Sequence, residues 1–385
     1  MIVGVGIVSS LGIGRESNLE ALLLERDGLR YPQNFSTIHQ VPVGEVPYSN
    51  DQLRELLSYP PMTISRTALL GMLAAEEALQ DAGIEDRTRV AFLSATTVGG
   101  MDLTPVFYRE YMQRPEGGRL RYVVQHDCAS STDMIAKHCR LGGYRTAIST
   151  ACSSAANAIM LGERMIACGM ADIVVAGGVD ALCPYTLNGF KSLMILDSEK
   201  CRPMDESRAG LNLGEAAAYV VLAREGEKAY CSVSGYGNAN DAYHQTAMTT
   251  HGQGPQDAMC RALAKAQLTP DDIDYINVHG TATPNNDLSE SNAIRSLWEG
   301  KRMPLLSSTK GFTGHTLAAS GSVEAVFSAL AIREQKAWAN LRFANPIADI
   351  GITPVAHTST AEIRHVMSNS FGFGGNCTSL IFSKL

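Results

Sequence analysis

A chain of 385 residues is long enough for two domains or one large duplicated one. Its apolar content of 45%, charged content of 18% and 35 glycines suit a large packed core with tight turns. A net charge of −7 argues against broad attraction to nucleic acid or to anionic membranes. No segment approaches the ~18 uninterrupted apolar residues of a membrane helix. Nine cysteines with no CxxC pair and no repeating framework read as reduced thiols of a cytoplasmic protein.

The opening MIVGVGIVSSLG lacks a basic n-region and reads as the first strand, not a signal peptide. A helix is expected over 65–83 and a strand over 89–96 (RVAFLSAT). The stretch that follows is locally basic. Arg114, Arg119, Arg121, Lys137, Arg140 and Arg145 share it with only Glu116, Asp127 and Asp133, which suits either a solvated surface or a docking patch for an acidic partner. Within it, HDCASST (126–132) reads as a helix or turn. His126, Cys128, His138 and Cys139 have spacings that fit no familiar zinc site, so no metal is expected. Next come a helix over 153–169 and strands over 171–181 and 216–223. The second part offers helices over 254–268 and 319–335 and a strand over 274–281. Strands alternating with helices predict an α/β fold with largely parallel sheets covered on both faces. EEALQDAGIEDRTRVAFLSA (76–95) and CRALAKAQLTPDDIDYINVHG (260–280) echo each other and hint at a duplication. The charged stretch AREGEKAY (223–230) is the expected seam, dividing the chain into 1–227 and 228–385.

ISTACSSAANAIM (148–160) places Cys152 between a strand and a helix, where it is either a small buried filler or a nucleophile. Unpaired N–H groups and the dipole at a helix N-terminus favour thiolate over thiol. VHGTATPNND (278–287) puts His279 at the C-terminal end of a strand, the end that binds ligands in open α/β sheets. STKGFTGHTLAASGSVEAV (308–326) carries Lys310 and His315, and SNSFGFGGNCTSL (368–380) is a Gly-rich turn before the last strand. Each segment alone is a weak signal, since most histidines are structural and most Gly-rich loops are simply turns.

Together and in this order, TACSSA, HGTATPNND, STKGFTGHTLAASG and NSFGFGG resemble the β-ketoacyl-acyl-carrier-protein synthases, condensing enzymes of fatty-acid and polyketide synthesis. LNGFKSLMILD, CRPMDESRAGLNLGEAAA and GVGIVSSLG extend the resemblance over essentially the whole chain. It implies a thiolase-like fold of two similar α/β halves in a five-layered αβαβα arrangement, the first half carrying the nucleophile and the second the histidines. It implies Cys152 as the acyl-accepting nucleophile and His279 and His315 as the paired active-site histidines. Lys310 would order that region and Glu324 would pair with it. Phe373 would be the gating aromatic whose N–H joins that of Cys152 in an oxyanion hole. The implied reaction is decarboxylating condensation of an acyl thioester with malonyl-acyl-carrier protein. It needs no metal or cofactor, because loss of CO2 creates the carbon nucleophile. The implied partners are acyl carrier protein and a second copy of the chain, or a chain-length-factor-like subunit.

The chain departs from the family at several points. Asn376-Cys377 follow GFGG, and the familiar R-D-G is Arg208-Ala209-Gly210. Met194 stands near where relatives carry a basic docking residue, with Lys191 close by, and the segment from Gly100 to Cys152 is short. Arg66, Lys137, Arg140 and Lys191 are the basic residues expected to meet the carrier. Cys377 keeps a thiolase-type acyltransferase, with a second catalytic cysteine, as the alternative.

Overall fold

The computed structural model describes residues 1–226, 228–348 and 350–385, with Pro115 described by its backbone alone. Glu227, at the expected seam, lies outside the described residues. Two mixed sheets form the framework. In the first, the strands run Gly12–Ile13, Ile2–Ser9, Ala216–Ala223, Ile173–Asp180, Ala91–Ala95, Arg145–Ile148 across the sheet. In the second, the order is Ser232–Asn240, Asn376–Ser383, His365–Phe371, Tyr275–Asn277, Leu305–Ser307. From Ile2–Ser9 onward the first sheet pairs antiparallel, antiparallel, parallel, parallel. The second repeats that sequence of pairings. The duplication hinted at by two echoing segments is therefore written into the topology. Expecting largely parallel sheets was wrong, because half of each five-strand set pairs antiparallel.

The layers follow from which residues each helix buries. Ser320–Glu334 is buried on every side through Ile332, as expected for a helix enclosed between sheets. It packs against Ala216–Ala223 of the first sheet, His365–Phe371 of the second, and its neighbour Ser154–Ala167. The largest apolar cluster surrounds these two central helices. Arg66–Asp81 and Cys128–His138 cover the outer face of the first sheet, and Gln253–Ala266 and Pro284–Leu297 that of the second. The result is the five-layered αβαβα arrangement.

One contact repeats between halves in atomic detail. A Cβ on Gly6 would lie 2.0 Å from Ala74 O, and one on Gly237 would lie 2.1 Å from Ala258 O. Two residues earlier in each strand, Gly4 meets Ala78 O at 2.5 Å and Gly235 meets Ala262 O at 2.4 Å. Each first strand thus lays bare backbone on an alanine ladder of its outer helix, which explains the glycines in MIVGVGIVSS and SVSGYGNAN. No helix among the described residues is long and apolar enough to cross a membrane.

Candidate active site

Cys152 sits where the chain turns from the edge strand Arg145–Ile148 into the central helix Ser154–Ala167. Ala151 takes a left-handed φ of 53°, a strained setting for a residue with a Cβ. The turn is held by the Thr150 N–H donating to Ser154 Oγ at 2.7 Å. Ser153 Oγ lies 2.7 Å from both Thr150 O and Asn376 Oδ1, which ties this turn to the GFGG loop. That loop approaches so closely that a Cβ on Gly372 would meet Thr150 O at 2.9 Å and Cys152 N at 3.1 Å. Only 7% of Cys152 is exposed. Burial pushes its thiol up to about 11, against the Lys310 charge and the backbone N–H groups of Phe373 and Cys152, which favour the thiolate. The expected preference for thiolate is thus reversed in the resting site: desolvation outweighs the helix N-terminus.

His279 follows the strand Tyr275–Asn277 and His315 follows the short helix Lys310–Thr313, and the two rings meet edge to face with centroids 5.5 Å apart. The Cys152 sulfur and one nitrogen of each ring lie within 4.8 Å of one another. The other nitrogens are occupied. Nδ1 of His315 accepts the Leu317 N–H at 3.1 Å and stands 3.0 Å from Ser320 Oγ. Nδ1 of His279 faces Lys310 Nζ at 3.2 Å. Lys310 uses its other two donors on His279 O, at 2.7 Å, and on Glu324. An Nδ1 that accepts leaves Nε2 carrying the hydrogen, so both rings present N–H groups toward the thiol. Burial first, then the Lys310 charge, holds both rings well below the ordinary value of 6.5 and hence neutral, the neighbouring ring adding to this at His279. One cation could span the three atoms, but these tautomers offer it N–H groups in place of lone pairs.

Glu324 projects from the central helix Ser320–Glu334 and is pushed up to about 7 by burial, which the Lys310 charge opposes. All six residues expected from the resemblance are therefore placed, five of them in one buried cluster. Sequence reasoning missed the layer behind them. Glu290, on the helix Pro284–Leu297, accepts the His279 and Gly280 N–H groups at 2.9 Å each and the Asn369 amide at 3.1 Å. Asn376 binds Asn157 at 3.0 Å and Asn238 at 3.1 Å, clamping the loop to the helix that follows Cys152. The only sequence signal was a run of polar residues at positions that turn out to be buried.

A cavity of about 240 Å³ opens onto the cluster, lined among others by Phe190, Ile195, Thr281, Thr283, Phe371 and Phe373. Phe373 is half-buried and stacks on Phe190 with centroids 6.1 Å apart. Cys377 does not line this cavity. It packs with Ala239, Met248, Ala258 and Phe371, and burial pushes its thiol far up. HDCASST leads into a helix: His126 bonds Thr104 at 2.8 Å before the helix Cys128–His138, and His138 ends it. Arg66 is not a docking residue. It is 5% exposed and ion-paired with buried Glu215 at 2.7 Å.

Residues 1–228 match the family model described as beta-ketoacyl synthase, N-terminal domain, and residues 230–344 match the C-terminal domain. The chain is 33% identical to 3-oxoacyl-[acyl-carrier-protein] synthase 2 of Rhizobium meliloti (strain 1021), covering 100% of this chain and 98% of that one. It is 31% identical to the protein of the same name in Vibrio cholerae, covering 100% and 99%. Among solved structures, the ishigamide ketosynthase/chain length factor superposes with a TM-score of 0.94 at 27% identity, over 100% of this chain and 98% of that one. The ketosynthase ApeO, in complex with its chain length factor ApeC from Xenorhabdus doucetiae, superposes with a TM-score of 0.87 at 30% identity, over 100% and 97%. The chain belongs to the beta-ketoacyl synthase family.

Proposed function

We propose that this chain performs decarboxylating condensation of a carrier-bound acyl thioester with malonyl-acyl-carrier protein, using Cys152 as nucleophile and His279 and His315 as paired oxyanion donors. The observation that carries it is the occupied Nδ1 of each histidine, which aims two neutral Nε2–H groups at the space beside a buried thiol. In the first step Cys152 sulfur attacks the acyl carbonyl, its proton leaves with the carrier thiol, and the N–H groups of Cys152 and Phe373 hold the tetrahedral oxyanion. In the second, malonyl thioester loses CO2 and the two histidines hold the enolate oxygen as charge develops. The enolate carbon then attacks the acyl-cysteine, forms the new C–C bond and expels the Cys152 thiolate, which takes up a proton. Lys310, paired with Glu324, keeps the His279 tautomer. The nucleophile comes from 1–227 and the histidines from 228–385, so the reaction is assembled across the seam.

Cys152→Ala should abolish condensation, and mass spectrometry should locate the trapped acyl group on Cys152. His279→Ala and His315→Ala should each slow CO2 release by roughly 10²–10³-fold. Normal CO2 release in both variants would overturn the reading. A thiolase-type reaction with Cys377 as second catalytic cysteine is not supported, because that thiol lies outside the cavity lining. Similarity to ketosynthases whose solved structures include a chain length factor favours one further reading, in which this chain is the active half of such a pair rather than of a homodimer. Nine free thiols support a reducing, cytoplasmic setting.

A further inference from the structure

Asp180 ends the strand Ile173–Asp180, is fully buried and lines no part of the cavity. A buried carboxylate must be satisfied by donors, and this one takes most of them from its own half. Thr96 Oγ1 donates at 2.6 Å, Thr97 N–H at 3.0 Å, Thr97 Oγ1 at 2.5 Å and Val98 N–H at 3.2 Å. The remaining donor is from the other half: the Ala318 N–H, at 2.9 Å. Ala318 follows Leu317, whose φ of 54° puts a branched side chain in the left-handed region. Such a turn persists only where its surroundings fix it at both ends. Its leading end is held by the His315 N–H donating to Asn212 O at 2.7 Å, and its trailing end by Asp180. Between them the turn directs the Leu317 N–H onto His315 Nδ1.

We infer that Asp180 is a positioning residue for His315: by gripping Ala318 it fixes the turn that keeps Nδ1 an acceptor and Nε2 the donor to the thioester oxygen. This rests on the reading of His315 as an oxyanion donor. The same carboxylate holds Thr96–Val98, and Val98 packs with Leu317 and the cavity-lining Leu211 in one apolar cluster. Val98 itself does not line the cavity, so this second grip bears on the turn at Leu317 and not on acyl entry.

The test compares Asp180→Asn in the intact enzyme with and without His315→Ala. Asn keeps the size of the side chain but turns an NH2 toward donors that need an acceptor. With His315 present, CO2 release from malonyl-carrier protein should fall about 10–100-fold, as when a partner that orients a functional histidine is lost, while acylation of Cys152 changes by less than about twofold. In the His315→Ala background the same substitution should add nothing. Equal loss of both steps, or an equal further loss without His315, would overturn the inference and leave a purely structural role. If Asp180→Asn does not fold, replacing Ala318 by its α-hydroxy acid deletes the single N–H at issue and leaves the threonine bonds intact, with the same expectations. Normal CO2 release in His315→Ala alone would instead overturn the reading of His315 as an oxyanion donor. Slow release in His315→Ala with normal release in Asp180→Asn would overturn only the role of Asp180.

Discussion

At Cys152 two physical effects oppose each other, and the geometry decides between them. A helix start and two N–H groups pull toward thiolate, but a site closed enough to exclude water pushes the thiol up to about 11. Its alkylation by a small neutral reagent should therefore keep rising with pH well beyond the ordinary thiol range. The histidines titrate the other way. Both are neutral when folded and protonate near 6.5 when unfolded, so below that pH the unfolded chain binds more protons and stability falls as pH drops. The slope should approach about 1.4 kcal/mol per pH unit for each ring, shallower by one ring's share in His315→Ala. CO2 release should stay level as pH falls through 6.5, and a midpoint there would show an ordinary histidine. Phe373 gives a further test. It stacks on Phe190, and Gly374 and Gly375 after it have φ of 81° and 82°, in the left-handed region that glycine enters freely. Phe373→Ala should leave Cys152 reactive but raise CO2 release in the absence of an acyl primer; no rise, with condensation intact, would make the ring a filler. The residues that gather in the cluster were legible because each sits in a motif with its own pattern. Glu290 and Ser320 were not, since a residue that acts by holding another is marked only by what it touches.

Elements were legible where apolar periodicity is strong and obscure where packing replaces it. The strand Ala216–Ala223 falls on the expected residues, and the helix expected over 319–335 appears as Ser320–Glu334. Ser232–Asn240 was missed, because serine, glycine and asparagine give no alternating pattern. The helix Pro284–Leu297 was missed because its buried face is polar, including Asp287, Ser289, Glu290 and Ser291. The SNSF of the expected Gly-rich turn ends the strand His365–Phe371. The glycine-on-alanine contact makes a prediction at this scale. Gly237→Ala would press a methyl onto backbone and should lower stability by about 1–3 kcal/mol in urea unfolding. Gly189→Ala, in the helix Pro184–Ser192 with nothing within 4 Å, should instead be neutral or raise stability by about 0.5–1 kcal/mol.

Over the whole molecule, a charge of −7 means that an acidic carrier must find a local exception. Lys191 is exposed and follows Phe190 at the cavity, whereas Arg140 lines a separate groove with Glu76 and Arg87. Lys191→Glu should raise KM for the carrier, with the effect fading in high salt, and Arg140→Glu should leave KM unchanged. Equal KM values for both variants would take Lys191 out of the docking surface. Met194, 88% exposed, leaves little other charge in that turn. The duplicated halves were legible in the sequence as an echo, but their interlocking was not. The helix Ser320–Glu334 belongs to the second half yet covers the inner face of the first sheet, where Ala218, Val220 and Leu222 are buried. On the ribosome, the first half therefore emerges well before its cover. At roughly 5–20 residues per second, that apolar face waits on the order of ten seconds for the nascent chain to supply the missing helix. The arrangement that unites Cys152 with the two histidines in the finished enzyme thus makes its synthesis the period of greatest exposure to aggregation, and the stage at which a chaperone would matter most.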